Sequence, residues 1–211
     1  MQIAIITGPT YQIASSRIAQ ANSIRDGVEL RIDLFQEIDL PSIEHLRRTI
    51  TGKVIFTLRS RRNGGGFLGS EEKRLQLAKS LLAFKPDYFD FESDTDPIFL
   101  NELLDAQSET KIILSYHNFI ATPKHLDVIL NKMLTQPSYA YKICTTANSF
   151  SDSYKMLRFV QKMNKSGLNI IGICMGDYGR ITRTDGLKAG NYLNYTILHT
   201  RDKVSPGLTL V

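Results

Sequence analysis

The chain has only two cysteines, Cys144 and Cys174, and they do not stand at metal-ligand spacing, so neither a disulfide framework nor a cysteine-held metal organises this protein. Both fall inside apolar runs and read as reduced core thiols. No apolar stretch approaches the roughly 20 residues that a bilayer-spanning helix needs, and a membrane protein is not expected. The opening residues MQIAIITGPT lack the basic start and long apolar region of a secretory signal. A cytoplasmic protein is therefore expected. Pro/Gly/Ser-rich linkers and low-complexity tracts are also missing, so no internal domain boundary is read and residues 1–211 are expected to form one domain.

What is present fits an ordinary globular chain. Its 211 residues are 42% hydrophobic and 22% charged, enough for one sizeable core or at most two small ones. The net charge of +5 suits an anionic partner, but Lys and Arg are spread along the chain and cluster only at Arg59, Arg61 and Arg62. That distribution gives a mildly basic surface rather than a nucleic-acid groove, and no nucleic-acid partner is expected.

Short runs rich in β-branched and aromatic residues recur at Gln2–Ile6, Val28–Leu34, Lys53–Leu58, Asp87–Glu92, Lys111–Ser115, Tyr139–Cys144, Asn169–Cys174 and Asn194–His199. Stripes with helical spacing lie between them, as where Ser70-Glu71-Glu72 opens a helix with Leu75, Ala78, Leu81 and Leu82 on one face. Eight strands alternating with helices predict an α/β protein of the (β/α)8 TIM barrel type, short for its class. An open doubly wound sheet is the competing arrangement. After the eighth run too few residues remain for an eighth helix, so the last helix is expected to be missing.

In a barrel both faces of the sheet are covered, so a charged face must line the interior and pair with other charges or with a polar ligand. Glu29, Arg31 and Asp33 share a face of the second strand, and Thr57 and Arg59 share one on the third. Asp90 and Glu92 follow on the fourth, His117 at the end of the fifth, Lys142 on the sixth and Arg183 after the seventh. Polar groups at the carboxyl ends of barrel strands are where such folds build their sites. Lys142 stands out because it sits in the middle of the apolar run YAYKIC. A lysine is almost never buried unless paired or chemically employed. Burial would lower its pKa from about 10.4 and leave a free amine able to attack a ketone; snorkelling from an edge strand is the plain structural alternative.

The run Gly64-Gly65-Gly66-Phe67-Leu68-Gly69 formally fits a dinucleotide fingerprint, but Arg61, Arg62 and Asn63 separate it from the strand. The fingerprint needs its first glycine at the strand-to-helix turn. A flexible glycine loop beside the site, able to act as a lid, is the expectation instead.

Five segments in order, ELRID, FTLRS, SYHNF, YKIC and MGDYGRITR, spanning residues 29 to 183, resemble the motifs of the type I 3-dehydroquinate dehydratases. The resemblance implies a lyase that dehydrates 3-dehydroquinate to 3-dehydroshikimate in the shikimate route to aromatic amino acids, with no cofactor and no metal. It further implies Lys142 as the imine-forming residue and His117 as general acid and base. Glu29, Arg31, Arg59, Arg183 and, in the final loop, Ser205 are implied as substrate-binding residues. A homodimer and a fused or associated shikimate dehydrogenase are carried as further expectations. The chain departs from the family pattern at Asn63, where a glutamate is usual, and at Leu208, where a glutamine is usual. Asn63 would leave Asp90 or Glu92 to orient His117. A different lysine-imine enzyme such as an aldolase would share Lys142 without needing His117 and Arg183 together.

Overall fold

The computed structural model describes residues 1–105 and 109–199. Eight strands alternate with helices along the chain, the (β/α)8 arrangement. The strands are β1 (Gln2–Ile6), β2 (Gly27–Arg31), β3 (Lys53–Thr57), β4 (Tyr88–Glu92), β5 (Lys111–Asn118), β6 (Ala140–Thr146), β7 (Ile170–Met175) and β8 (Asn194–Ile197). The helices are α1 (Tyr11–Asn22), α2 (Leu40–Thr49), α3 (Glu71–Leu82), α4 (Pro97–Asp105), α5 (Leu126–Met133), α6 (Phe150–Lys165), and two single turns before β8, α7 (Ile181–Thr184) and α8 (Gly186–Ala189).

The chain divides into two compact units, one of residues Ile3–Ile112 and one of Ile113–Val211 together with Met1–Gln2. In the first, β1, β2, β3 and β4 pair in parallel, each with the next. Register puts Leu30, Phe56 and Phe89 in one row, with Glu29 and Ile55 on the opposite face. Phe56, Phe89 and Phe91 then form an aromatic run, Phe89 stacking on Phe91 at 4.5 Å between centroids. Helix starts follow from their caps: Thr10, Asp39 and Ser70 each accept a backbone N–H of the first turn through the side chain.

In the second unit β5, β6 and β7 pair in parallel, and β8 lies beside the N-terminal residues, the Asn194 N–H donating to the Met1 carbonyl at 2.9 Å. Gly172 is small because a Cβ there would press 2.4 Å from Val160 and 2.7 Å from Met156 of α6, so that face of β7 meets the helix and Ile171, Ile173 and Met175 take the other.

Strand boundaries depart from the sequence expectation in two informative places. The second strand stops at Arg31 instead of Leu34, because Ile32–Leu34 turn into a short 3-10 segment in which Asp33 folds back to hold Arg31. The fifth runs on to Asn118 instead of stopping at Ser115, since β6 continues beside it as far as the pairing of Asn118 with Thr145.

Candidate active site

The expected site residues fall into a set in each unit. In the first, Arg31, Thr57 and Asp90 form one row across β2, β3 and β4, with Arg59 one strand repeat further toward the carboxyl ends. Arg31 meets Asp33 with a two-pronged fork, Nε to Oδ1 at 2.9 Å and Nη2 to Oδ2 at 2.8 Å. Arg59 Nη2 donates to Asp90 Oδ1 at 2.8 Å, and Thr57 donates to Glu29 Oε1 at 2.8 Å. All six are buried. Burial pulls the Arg59 pKa down, but Asp90, Glu92, Glu29 and Asp33 outweigh it and hold the guanidinium charged above the ordinary arginine range. Arg31 behaves alike, burial opposed chiefly by Asp33. Buried arginines with matched carboxylates stay cationic and keep a fixed geometry.

The loop after β3 is pinned, which corrects the expectation of a flexible glycine lid. A Cβ on Gly65 would lie 2.2 Å from the Arg59 carbonyl oxygen and one on Gly66 2.4 Å from that of Asp33, so only glycine allows this approach. The Gly66 N–H donates to Asp33 Oδ2 at 2.9 Å and the Ser60 N–H to Glu92 Oε1 at 2.8 Å. Asn63 donates its amide to Ser60 Oγ and Asp94 Oδ1 at 3.2 and 3.3 Å. Glu92 is committed to Ser60 and, at 2.7 Å, to Arg74, while Asp90 holds Arg59.

Arg74 escaped the sequence reading. It occupies the buried face of α3 with Ala78 and Leu81, and is 0% exposed. Its guanidinium reaches Glu92, Glu71 Oε1 at 2.6 Å, and the Leu58 carbonyl at 3.2 Å. The signal was its place four residues before Ala78, on the apolar stripe rather than off it.

In the second unit Ser115 pairs in register with Lys142, and His117 with Cys144. Side chains two apart on a strand share a face, so Lys142 and His117 project from the same face of adjacent strands, offset by roughly 6.6 Å along and about 4.8 Å across. Lys142 is 5% exposed, which overrules the snorkelling alternative. Its Nζ lies over the ring of Tyr195, 4.1 Å from the centroid. Tyr195 is a second residue missed at the sequence level; an aromatic in the eighth run was its only signal. His117 is half-buried and stacks beside Phe119, with centroids 6.0 Å apart.

Arg183 sits in α7, 4% exposed. The turn is anchored on both sides: the Cys174 N–H donates to Thr182 Oγ1 at 2.9 Å, and the Asn194 amide donates to the Arg183 carbonyl. Burial raises the Cys174 thiol pKa, in keeping with an inert core thiol. Ser205 and Leu208 lie outside the described residues. Among the described residues no group of three or more His, Cys, Asp or Glu could hold a metal ion, and no helix is long and apolar enough to cross a membrane.

A family model described as type I 3-dehydroquinase matches residues 3–210. The 3-dehydroquinate dehydratase of Desulfotalea psychrophila is 34% identical over 194 residues, which cover 90% of this chain and 82% of that protein. Among solved structures, 3-dehydroquinate dehydratase from Geobacillus kaustophilus matches with a TM-score of 0.88 at 20% identity, covering 99% of this chain and 86% of that one. Dehydroquinate dehydratase and shikimate dehydrogenase from S. pombe matches with a TM-score of 0.81 at 22% identity, covering 100% of this chain and 42% of the longer one. These two likenesses carry the fold, while the family match and the first relative carry the kinship: the chain belongs to the type I 3-dehydroquinase family and is a hydro-lyase.

Proposed function

We propose that this chain dehydrates 3-dehydroquinate to 3-dehydroshikimate through an imine on Lys142, as one (β/α)8 barrel domain over residues 1–211. Family membership supports 3-dehydroquinate dehydratase activity in the shikimate pathway. The observation that carries the imine is a lysine 5% exposed on the same strand face as a histidine of the neighbouring strand.

Lys142 Nζ, as the free amine, attacks the ketone carbon, and loss of one water from the carbinolamine gives an iminium. The iminium withdraws electrons from the adjacent carbon, His117 takes a proton from it, and the enamine expels the neighbouring hydroxyl, which leaves as water with a proton returned by His117. A third water then hydrolyses the iminium, releasing the product ketone and Lys142. Two waters leave and one enters, so the net change is the loss of one water. A histidine with an unperturbed pKa near 6.5 suits both directions of proton transfer. Arg183 is assigned to the substrate carboxylate, and Glu29, Arg31, Arg59 and Ser205 to its hydroxyl groups and surrounding charge. These steps call on no metal and no organic cofactor. A homodimer and a shikimate dehydrogenase partner remain part of the proposal.

Mass spectrometry of the intact protein after substrate and borohydride tests it. The expected result is one reduced adduct on Lys142 with loss of activity, and neither adduct nor turnover in Lys142→Ala. Full activity in Lys142→Ala would overturn the imine. A product without ultraviolet absorbance from a conjugated enone would point to an aldolase.

A further inference from the structure

Tyr195 has no role in the steps above, yet its ring is the aromatic surface against the nitrogen that carries them. It is 2% exposed, lies on β8, and its centroid is 4.1 Å from Lys142 Nζ, well inside the roughly 6 Å over which a ring face attracts a cation. β7 runs beside β6 and places Ile171 in register with Lys142. Lys142 therefore extends past an apolar neighbour to reach the ring. Within this unit the titratable groups on the same face as Lys142 are His117 on β5, Cys144 beyond it on β6 and Tyr195 itself; β7 presents Ile171, Ile173 and Met175, and Arg183 follows on α7.

We propose that the Tyr195 ring face holds the cationic forms of Lys142 Nζ, the ammonium before condensation and the iminium after it. This rests on the imine reading of Lys142. A neutral imine is a weak electron sink and its protonated form a strong one, so a ring that favours positive charge on this nitrogen keeps the intermediate reactive. The charge leaves the nitrogen when the enamine forms and returns when the hydroxyl departs, so the ring acts on the states at both ends of that step. Before substrate arrives, the same attraction limits how far burial drives the lysine toward its neutral form.

The test uses the full chain with Tyr195→Phe, Tyr195→Met and a ring-fluorinated phenylalanine at the same position. Fluorination keeps the shape while draining electron density from the ring face. Without substrate, acylation of Lys142 by an amine-selective reagent is followed by peptide mass spectrometry across the neutral and alkaline range, giving the midpoint of the lysine titration. Tyr195→Phe is expected to keep the wild-type midpoint, while the fluorinated ring and Tyr195→Met lower it by about one unit. At subsaturating substrate the borohydride-trapped fraction should fall in the same order. Equal midpoints for plain and fluorinated rings would overturn the inference, as would a Tyr195→Phe midpoint as low as that of Tyr195→Met, which would assign the effect to the hydroxyl. The plain and fluorinated rings decide the matter even if Tyr195→Met does not fold. Absence of any adduct on wild-type Lys142 would instead sink the imine, a result separate from the titration midpoint.

Discussion

The imine proposal divides the chemistry unevenly between Lys142, buried on its strand, and His117 on the neighbouring one. In the proposed mechanism Lys142 supplies the covalent bond, and no other side chain replaces it. His117 is assigned proton transfers in several of its steps, each worth about 10²- to 10⁴-fold in rate. In His117→Ala condensation is expected to proceed slowly while hydrolysis stalls, so turnover falls by roughly 10²-fold or more and unreduced adduct accumulates on Lys142. Stopped-time mass spectrometry without borohydride checks this, and a variant that turns over at the wild-type rate would remove His117 from the mechanism. Lys142 was legible because its burial follows from its neighbours Tyr141 and Ile143 in one strand. Tyr195 was not, because its contact with Nζ joins residues 53 positions apart on strands that are not neighbours in sequence, and alternation within one strand carries no information about that.

The first unit shows what an element can and cannot reveal by its pattern. The helix start at Ser70 was readable from its cap, and α3 begins at the next residue. The stripe of Leu75, Ala78, Leu81 and Leu82 was half right: Ala78 and Leu81 are buried, but Arg74 takes the third buried place. An apolar-periodicity argument passes over a charged residue whose partners, Glu92 and the Leu58 carbonyl, come from β4 and the residue just after β3. Removing it leaves the buried Glu92 carboxylate without its 2.7 Å partner. Arg74→Met is therefore expected to cost about 3–5 kcal/mol in denaturant unfolding, with Glu92 no longer fixing the Ser60 N–H and the loop that follows Arg59. An unchanged unfolding midpoint would mean that Arg74 is not what holds that carboxylate.

Glu71 in the same helix gives a pH signature. The hydrogen bond from Arg74 is the largest influence on its carboxyl and lowers the pKa below the ordinary glutamate value; partial burial works the other way. A carboxylate with a depressed folded-state pKa adds stability above its unfolded value of about 4.3, and that stability fades as pH falls through the folded value. Wild type should therefore melt above Glu71→Gln at neutral pH, and the two should converge in acid. A gap that persists or widens on acidification would contradict the ion pair as its source.

For the whole molecule, the fold was the most legible level. Eight β-rich runs separated by amphipathic stripes can be counted without knowing where any strand ends, because the alternation of periods two and 3.6 is repeated and redundant. Boundaries such as Arg31 and Asn118 were less legible, since they depend on a side chain folding back or on a neighbouring strand continuing. The broken connection of α7 and α8, which carries Arg183, offered no helical stripe, because two turns of four residues are too short to display one. What anchors α7 is tertiary: Asn194 and the Cys174 N–H.

A single domain over residues 1–211 predicts one cooperative transition, with fluorescence and circular dichroism melting together. A non-reacting analogue that keeps the substrate carboxylate should raise that transition by mass action, by about 2.7 kcal/mol at 100 times its dissociation constant. For a chain of this length that corresponds to roughly 5–10 °C. If Arg183 is the carboxylate clamp, Arg183→Ala must lose most of this shift while an analogue lacking the carboxylate gives wild type little to begin with. Lys142→Ala, by contrast, should keep most of it, because Lys142 Nζ forms no covalent bond to an analogue without a ketone. Equal shifts in wild type and Arg183→Ala would take the clamp away from Arg183, and two separate transitions would take the single domain away from residues 1–211.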